Sequence, residues 1–251
     1  MELGMIGLGR MGANMTERLL GGGHKLITYD RNPEAIQRCV DKGALGAHSL
    51  ADFVKQLSLP RVIWLMVPSG EPVDLTIEQL LPSLLENDII IDGGNSHYKD
   101  SIRRAQKLKQ LGIYFVDAGT SGGIWGLQEG YCLMIGGEKT IVDQLEPVFK
   151  TLAPENGFAH VGESGAGHFA KMVHNGIEYG MLQAYGEGFE MLKASQFNFD
   201  LGKISHLWNQ GSVVRSWLLA LAENAFQKDP QLSSIKGYVE DSGEGRWAVL
   251  E

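Results

Sequence analysis

Residues 3–12, Leu-Gly-Met-Ile-Gly-Leu-Gly-Arg-Met-Gly, carry the reading of the fold of this 251-residue chain. Leu3–Ile6 is a short apolar run, and Gly7-Leu8-Gly9-Arg10-Met11-Gly12 after it matches GxGxxG and opens a helical pattern through Leu20. A chain with 33 glycines can produce that spacing by chance, so the surroundings decide. They are a strand before it, a helix after it, and an acid, Asp30, closing a second strand-like run at Lys25–Tyr29. In that setting the first glycine permits a tight turn and the second lets backbone approach a pyrophosphate. The third lets helix and strand pack closely, and the helix N-terminus attracts negative charge. Gly7, Leu8, Gly9, Arg10, Met11 and Gly12 are therefore candidate dinucleotide-binding positions. Asp30 stands where a carboxylate accepts from both ribose hydroxyls of NAD and repels a 2′-phosphate. Arg31 beside it could instead hold that phosphate. The pattern favours NAD, with NADP as the alternative.

The same texture recurs along the first half. Val62–Val67, Ile89–Ile91 and Tyr114–Val116 are short continuous apolar runs separated by helical stretches, and Tyr131–Ile135 and Phe158–Val161 extend the series. Such strands belong to a parallel sheet covered on both faces. After Gly162 the texture changes. From His168 to about Ala194 the pattern is helical and free of proline, enough for a helix roughly 40 Å long. Further helices are expected over 200–208 and 213–226. The expected architecture is α/β: a doubly wound, Rossmann-like parallel sheet over 1–162, then an all-α domain over 163–251 with a long central helix. The closing stretch, GEGRWAVLE, starts a helix without a C-cap, so the helical domain is expected to be C-terminally incomplete.

Composition narrows the function classes. A net charge of −8 argues against nucleic acid as a partner, because counterion release needs a basic surface. An anionic substrate would need cations or backbone N–H groups placed locally against that field. No apolar run approaches the roughly 18–20 residues of a membrane span. The opening residues show no basic region or cleavage site, and export is not expected. Cys39 and Cys132 form no CxxC pair, which fits a reduced, cytoplasmic setting. The seven histidines show no HxH or HExxH spacing, and no metal is expected.

On the long helix, Lys171, His174, Asn175 and Glu178 fall at i, i+3, i+4 and i+7 and share one face. A solvated stripe is the plain alternative. Against it, the stripe is narrow, mixes an amine, an imidazole, an amide and an acid, and is flanked by apolar residues on both sides. Lys171 and Glu178 are about 10 Å apart along the axis. An acid and a base so spaced can reach opposite ends of a small substrate. A desolvated lysine loses basicity and can serve as a general base near neutral pH.

Taken together, GLGRMG, IIIDGGNSHYKD, DAGTSGGIWGLQEGYCLMIGG and GAGHFAKMVHNGIEYGMLQAYGEG resemble the decarboxylating 6-phosphogluconate dehydrogenases of the β-hydroxyacid dehydrogenase superfamily. The short bacterial type, with an acid closing the second strand, is the nearest match. The resemblance implies Lys171 as the general base and Glu178 as the acid that protonates the enediol left by decarboxylation. It implies substrate contacts at Asn95, Ser121, Gly122, Gly123, His174, Asn175 and Tyr179. Val67, Pro68 and Asn95 would lie along the nucleotide. Gly243-Glu244-Gly245-Arg246-Trp247 resembles a glycine–lysine–tryptophan motif whose lysine holds the substrate phosphate, with Arg246 in the lysine's place. Guanidinium binds phosphate bidentately, so the exchange is chemically reasonable. The family's further phosphate-binding arginine and histidine positions lie C-terminal to this motif, and none follows it here.

The implied reaction is oxidative decarboxylation of 6-phosphogluconate, a small phosphorylated sugar acid, to ribulose 5-phosphate with NAD(P). The alternatives are a β-hydroxyacid dehydrogenase or semialdehyde reductase that stops before decarboxylation, and a cofactor-binding subunit without turnover. A homodimer or homotetramer is expected, because so long an apolar helix in a small domain needs a partner to cover it.

Overall fold

The computed structural model describes residues 1–235 and 243–251, which divide into two compact units, Met1–Met172 and Val173–Glu251. The division falls ten residues beyond the expected 162/163, inside the long helix.

In the first unit the chain alternates as the apolar runs announce. It runs β1 (Glu2–Ile6), α1 (Arg10–Gly21), β2 (Lys25–Tyr29), α2 (Pro33–Val40), β3 (Leu45–Gly46), α3 (Leu50–Gln56), β4 (Val62–Leu65) and α4 (Glu71–Leu80). It continues through β5 (Ile89–Asp92), α5 (Tyr98–Lys109), β6 (Tyr114–Ser121), α6 (Gly126–Glu129), β7 (Cys132–Gly136), α7 (Lys139–Gln144), α8 (Glu146–Leu152) and β8 (Phe158–Gly162). The strands form one sheet in the order 3-2-1-4-5-6-7-8. Strands β1 to β6 are parallel, so the turns that leave them, at Gly7, Met66, Gly93 and beyond Ser121, line one edge. The order reverses between β1 and β4, the switch point where such sheets hold ligands.

Two features depart from the sequence reading. The two-residue strand β3 has no apolar run to announce it and forms on the sheet edge through Ile27↔Leu45. Strand β7 is antiparallel to β6, not parallel. Only about ten residues join them, fewer than a parallel crossover needs. That pairing draws β6 out to Ser121, since Asp117 through Ser121 face Gly136 through Cys132.

Two apolar layers sandwich the sheet, one around Met5, Trp64, Ile91 and Phe149, the other around Ile27, Phe53, Ile63 and Ile90. Side chains cap several helices: Asn32 accepts from the Glu34 amide at 2.9 Å, and Ser49 from the Asp52 amide at 3.1 Å.

Helix α9 (Ala166–Ala194) begins in the first unit and ends in the second, which also holds α10 (Leu201–Asn209), α11 (Trp217–Lys228) and α12 (Arg246–Leu250). Its small core gathers Phe189, Leu201, Leu219 and Phe226, with Phe189 and Phe226 edge-to-face at 4.9 Å. Asp200 and Ser216 cap α10 and α11. No helix among the described residues is long and apolar enough to cross a membrane.

Candidate active site

At the switch point lies a cleft of about 610 Å³. Its walls are Ile6, Gly7, Gly9, Arg10, Met11 and Gly12 after β1, Tyr29, Asp30 and Arg31 after β2, and Met66, Val67 and Pro68 after β4. Leu50, Pro72, Thr76, Gln79 and Gly94 complete it.

The glycine positions follow from contact. Gly7 has φ +93°, and a Cβ there would strike the Met66 carbonyl. A Cβ at Gly12 would run into the Gly7 carbonyl oxygen, so this face of α1 seats directly on the turn. A Cβ at Gly9 would meet only open space, the room a bound group needs to approach backbone. Gly9 also N-caps α1 without any side-chain acceptor, unlike Asn32 at α2. The first N–H groups of α1 thus face the cleft, a ready anion site.

Asp30 closes the cleft's far side. Its carboxylate accepts from the Leu8 amide at 2.6 Å and the Asn32 amide at 2.8 Å. These bonds fix the carboxylate and leave lone pairs for two hydroxyls. An open glycine turn beside a pinned acid fits a dinucleotide with its ribose on Asp30. Leu8 is not part of the cleft wall: its side chain is 1% exposed in the core, and its N–H is the one that anchors Asp30. Asn95 is half-buried next to Gly94 and is not part of the cleft wall.

On β6, buried Asp117 receives the Gly165 amide at 2.6 Å on Oδ1 and the His168 amide at 2.9 Å on Oδ2. One carboxylate thereby satisfies two donors at the start of α9 and offsets its dipole. Glycines let the helix lie against the sheet: a Cβ at Gly167 would crowd the Asp117 carbonyl at 2.6 Å, and one at Gly119 would meet the Lys171 Cβ at 2.6 Å. Lys171 is therefore seated over Gly119, two residues from Ser121, and is only 9% exposed. Gly122 and Gly123, with φ of +128° and +52°, turn the chain sharply after Ser121. One turn before Lys171, His168 is buried with Nδ1 2.7 Å from the Ser101 hydroxyl.

In the second unit, α9 continues with His174, Asn175, Glu178 and Tyr179. His174 Nδ1 lies 3.7 Å from Glu178 Oε2 and 3.2 Å from Asn175 Oδ1. Asn175 is buried and donates through Nδ2 to the Glu244 carbonyl at 2.9 Å. A Cβ at Gly245 would touch the Tyr179 ring at 3.3 Å. These contacts hold the 243–245 turn on α9 and set exposed Arg246 at the head of α12. The stripe is thus no uniform solvated face: Lys171 and Asn175 are buried, while His174 and Glu178 are about one-third exposed.

Sequence reading assigned no role to Asp92 or Asp117. Each sits inside an apolar strand, IIID and YFVD, and both are fully buried. An acid in a core strand was the available signal, because such a charge must be met by donors from elsewhere.

Known proteins share this fold and much of this sequence. The model of the NAD binding domain of 6-phosphogluconate dehydrogenase matches residues 2–162, and that of the 6-phosphogluconate dehydrogenase C-terminal domain matches 167–196. An NAD(+)-dependent, decarboxylating 6-phosphogluconate dehydrogenase of Haloferax volcanii is 45% identical over 253 aligned residues, covering 100% of this chain and 84% of the relative. The solved Plasmodium falciparum 6-phosphogluconate dehydrogenase superposes with a TM-score of 0.89 at 30% identity, with this chain spanning 57% of its length. Mycobacterium tuberculosis 3-hydroxyisobutyrate dehydrogenase shares the fold, with a TM-score of 0.72 at 24% identity over 86% of this chain and 72% of that one. Matched in both units, and along its whole length by the haloarchaeal relative, this chain belongs to the 6-phosphogluconate dehydrogenase family.

Proposed function

We propose that this chain oxidatively decarboxylates 6-phosphogluconate with NAD(P), and that Lys171 and Glu178, on one helix, divide the proton transfers. The carrying observation is the seating of Lys171 over Gly119, 9% exposed, two residues from Ser121-Gly122-Gly123. When bound, the dinucleotide supplies the acceptor for the hydrogen and electron pair that leave the carbon β to the carboxylate. The Lys171 amine takes the proton of the hydroxyl on that carbon. Once protonated, Lys171 donates to the new ketone oxygen. The bond to the carboxylate then breaks, carbon dioxide leaves, and the electron pair flows into the polarised carbonyl. Glu178 protonates the carbon that lost the carboxylate, giving ribulose 5-phosphate.

Asn95, the Ser121 hydroxyl and the N–H groups of Gly122 and Gly123 suit the carboxylate and hydroxyls of the sugar acid. His174, Asn175 and Tyr179 present further donors, and Arg246 suits the phosphate. The anchored Asp30 favours NAD over NADP. Val173, Ile177 and Met191 on α9 are 44%, 60% and 76% exposed, which supports a homodimer or homotetramer. The setting is the reduced cytoplasm. Absorbance at 340 nm with 6-phosphogluconate and each dinucleotide tests the reaction, and carbon dioxide release tests decarboxylation. Reduction without carbon dioxide would transfer the reading to a simple hydroxyacid dehydrogenase. Light scattering on the eluting protein tests the oligomer.

A further inference from the structure

Between the cleft loops that follow β4 and β5 stands a buried guanidinium. Arg104 on α5 is 2% exposed and reaches three acceptors. Its Nη2 donates to the Gly70 carbonyl at 2.9 Å, its Nη1 to Asp92 Oδ2 at 3.3 Å, and its Nε to Asp74 Oδ1 at 2.8 Å. Gly70 ends the loop that carries Val67 and Pro68, and Asp74 lies in the first turn of the helix that follows. Asp92 is the last residue of β5 and organises the next loop: Oδ1 accepts from the Gly94 amide at 3.1 Å and Oδ2 from the Ser96 hydroxyl at 2.7 Å. Gly94 lines the cleft, and Asn95 stands between these two anchored residues.

We infer that Arg104 is a positioning residue for dinucleotide binding, a rigid cross-brace that fixes 67–70 and 92–96 relative to one another. The inference rests on reading the cleft as the dinucleotide site. A guanidinium suits the task because its planar fork spans three acceptors in fixed directions, which a flexible ammonium does not. The neighbouring Arg103 gives the contrast: it is about half-exposed, and its bonds go to Asp74 and Asp100, with none to a cleft loop. A purely structural ion pair would not need to join two consecutive cleft loops.

The test uses the full chain as Arg104→Gln, Arg104→Lys and Arg103→Gln. NAD and NADP affinities are measured by calorimetry, and amide hydrogen exchange is followed without nucleotide. Neither readout needs 6-phosphogluconate, so a failed substrate assignment would leave the result intact. Arg104→Gln is expected to weaken dinucleotide binding at least tenfold and to speed exchange at 67–70 and 92–96 while β1 and β6 keep their protection. Arg104→Lys should recover only part of the affinity, and Arg103→Gln should stay within twofold of the parent. Binding by Arg104→Gln within twofold would overturn the inference, and so would exchange that rises uniformly across the sheet. Should Arg104→Gln not fold, Arg104→Lys decides: parental affinity would refute the brace, and a loss of threefold or more with local loop exchange would support it.

Discussion

The cleft at the switch point and the polar stripe of α9 are built from different materials. The cleft is mostly backbone, with the turn at Gly7–Gly12, amides at the head of α1, and one carboxylate pinned by the Leu8 and Asn32 amides. The stripe is all side chain, and its members differ in exposure because different neighbours cover them. Lys171 is covered by the sheet at Gly119, Asn175 by the Glu244 turn, while His174 and Glu178 stay partly open. At Gly7 and Gly12 the backbone site has no room for an added atom. A side-chain site tolerates change in its neighbours but not in the reacting group.

The sharpest break of that comparison is Lys171→Ala. Turnover should fall by about 10²–10⁴-fold, the range for a lost general base, with NAD affinity unchanged in calorimetry. Retained turnover would remove the base assignment.

The converse break is Gly12→Ala. The new methyl would meet the Gly7 carbonyl, a backbone atom with no way to yield, at a cost of about 1–3 kcal/mol. Thermal stability and dinucleotide affinity should fall together, while the second unit's near-ultraviolet dichroism stays unchanged. Full affinity would show that the turn has slack it is not expected to have.

Glu178→Gln should slow formation of ribulose 5-phosphate at least tenfold, about 1.4 kcal/mol of barrier. A single-turnover experiment would show dinucleotide reduction and carbon dioxide release outpacing product formation. Asp30→Asn should cut the preference for NAD over NADP several-fold. An unchanged ratio would hand selectivity to Arg31.

The smallest effect concerns His24, whose imidazole burial pushes below its ordinary value. It contacts the Thr151 hydroxyl at 2.8 Å, far from both candidate sites in the chain. The unfolded chain binds the proton first, so this contribution is complete above about pH 6.5 and fades as pH falls through the folded value. Between pH 7.5 and 5.5 the parent should lose slightly more Tm than His24→Asn, measured by thermal melts at both pH values. Equal losses would remove His24 from the account.

Much of the cleft was legible in the sequence, because glycine positions and a strand-closing acid are local demands. Gly7, Gly9, Gly12, Asp30, Arg31, Val67 and Pro68 all line it. Less visible were Tyr29, Leu50, Thr76 and Gln79, common residue types that reach the cleft only because the loops fold toward it. The antiparallel β7 escaped for a related reason, since a continuous apolar run reads the same in either direction.

By itself, then, the sequence determined the alternation of strands and helices, the first turn and the spacing of Lys171 and Glu178 on one helix face. Those depend on hydrophobic period and on φ angles that glycine alone adopts without strain. Tertiary structure decided which of those side chains leave water, where the second unit starts, and what meets the buried charges of Asp92, Asp117 and Arg104. Desolvation is a property of neighbours distant in the chain: Asp117 is 0% exposed because α9 returns, some fifty residues later, to place two amide donors on it.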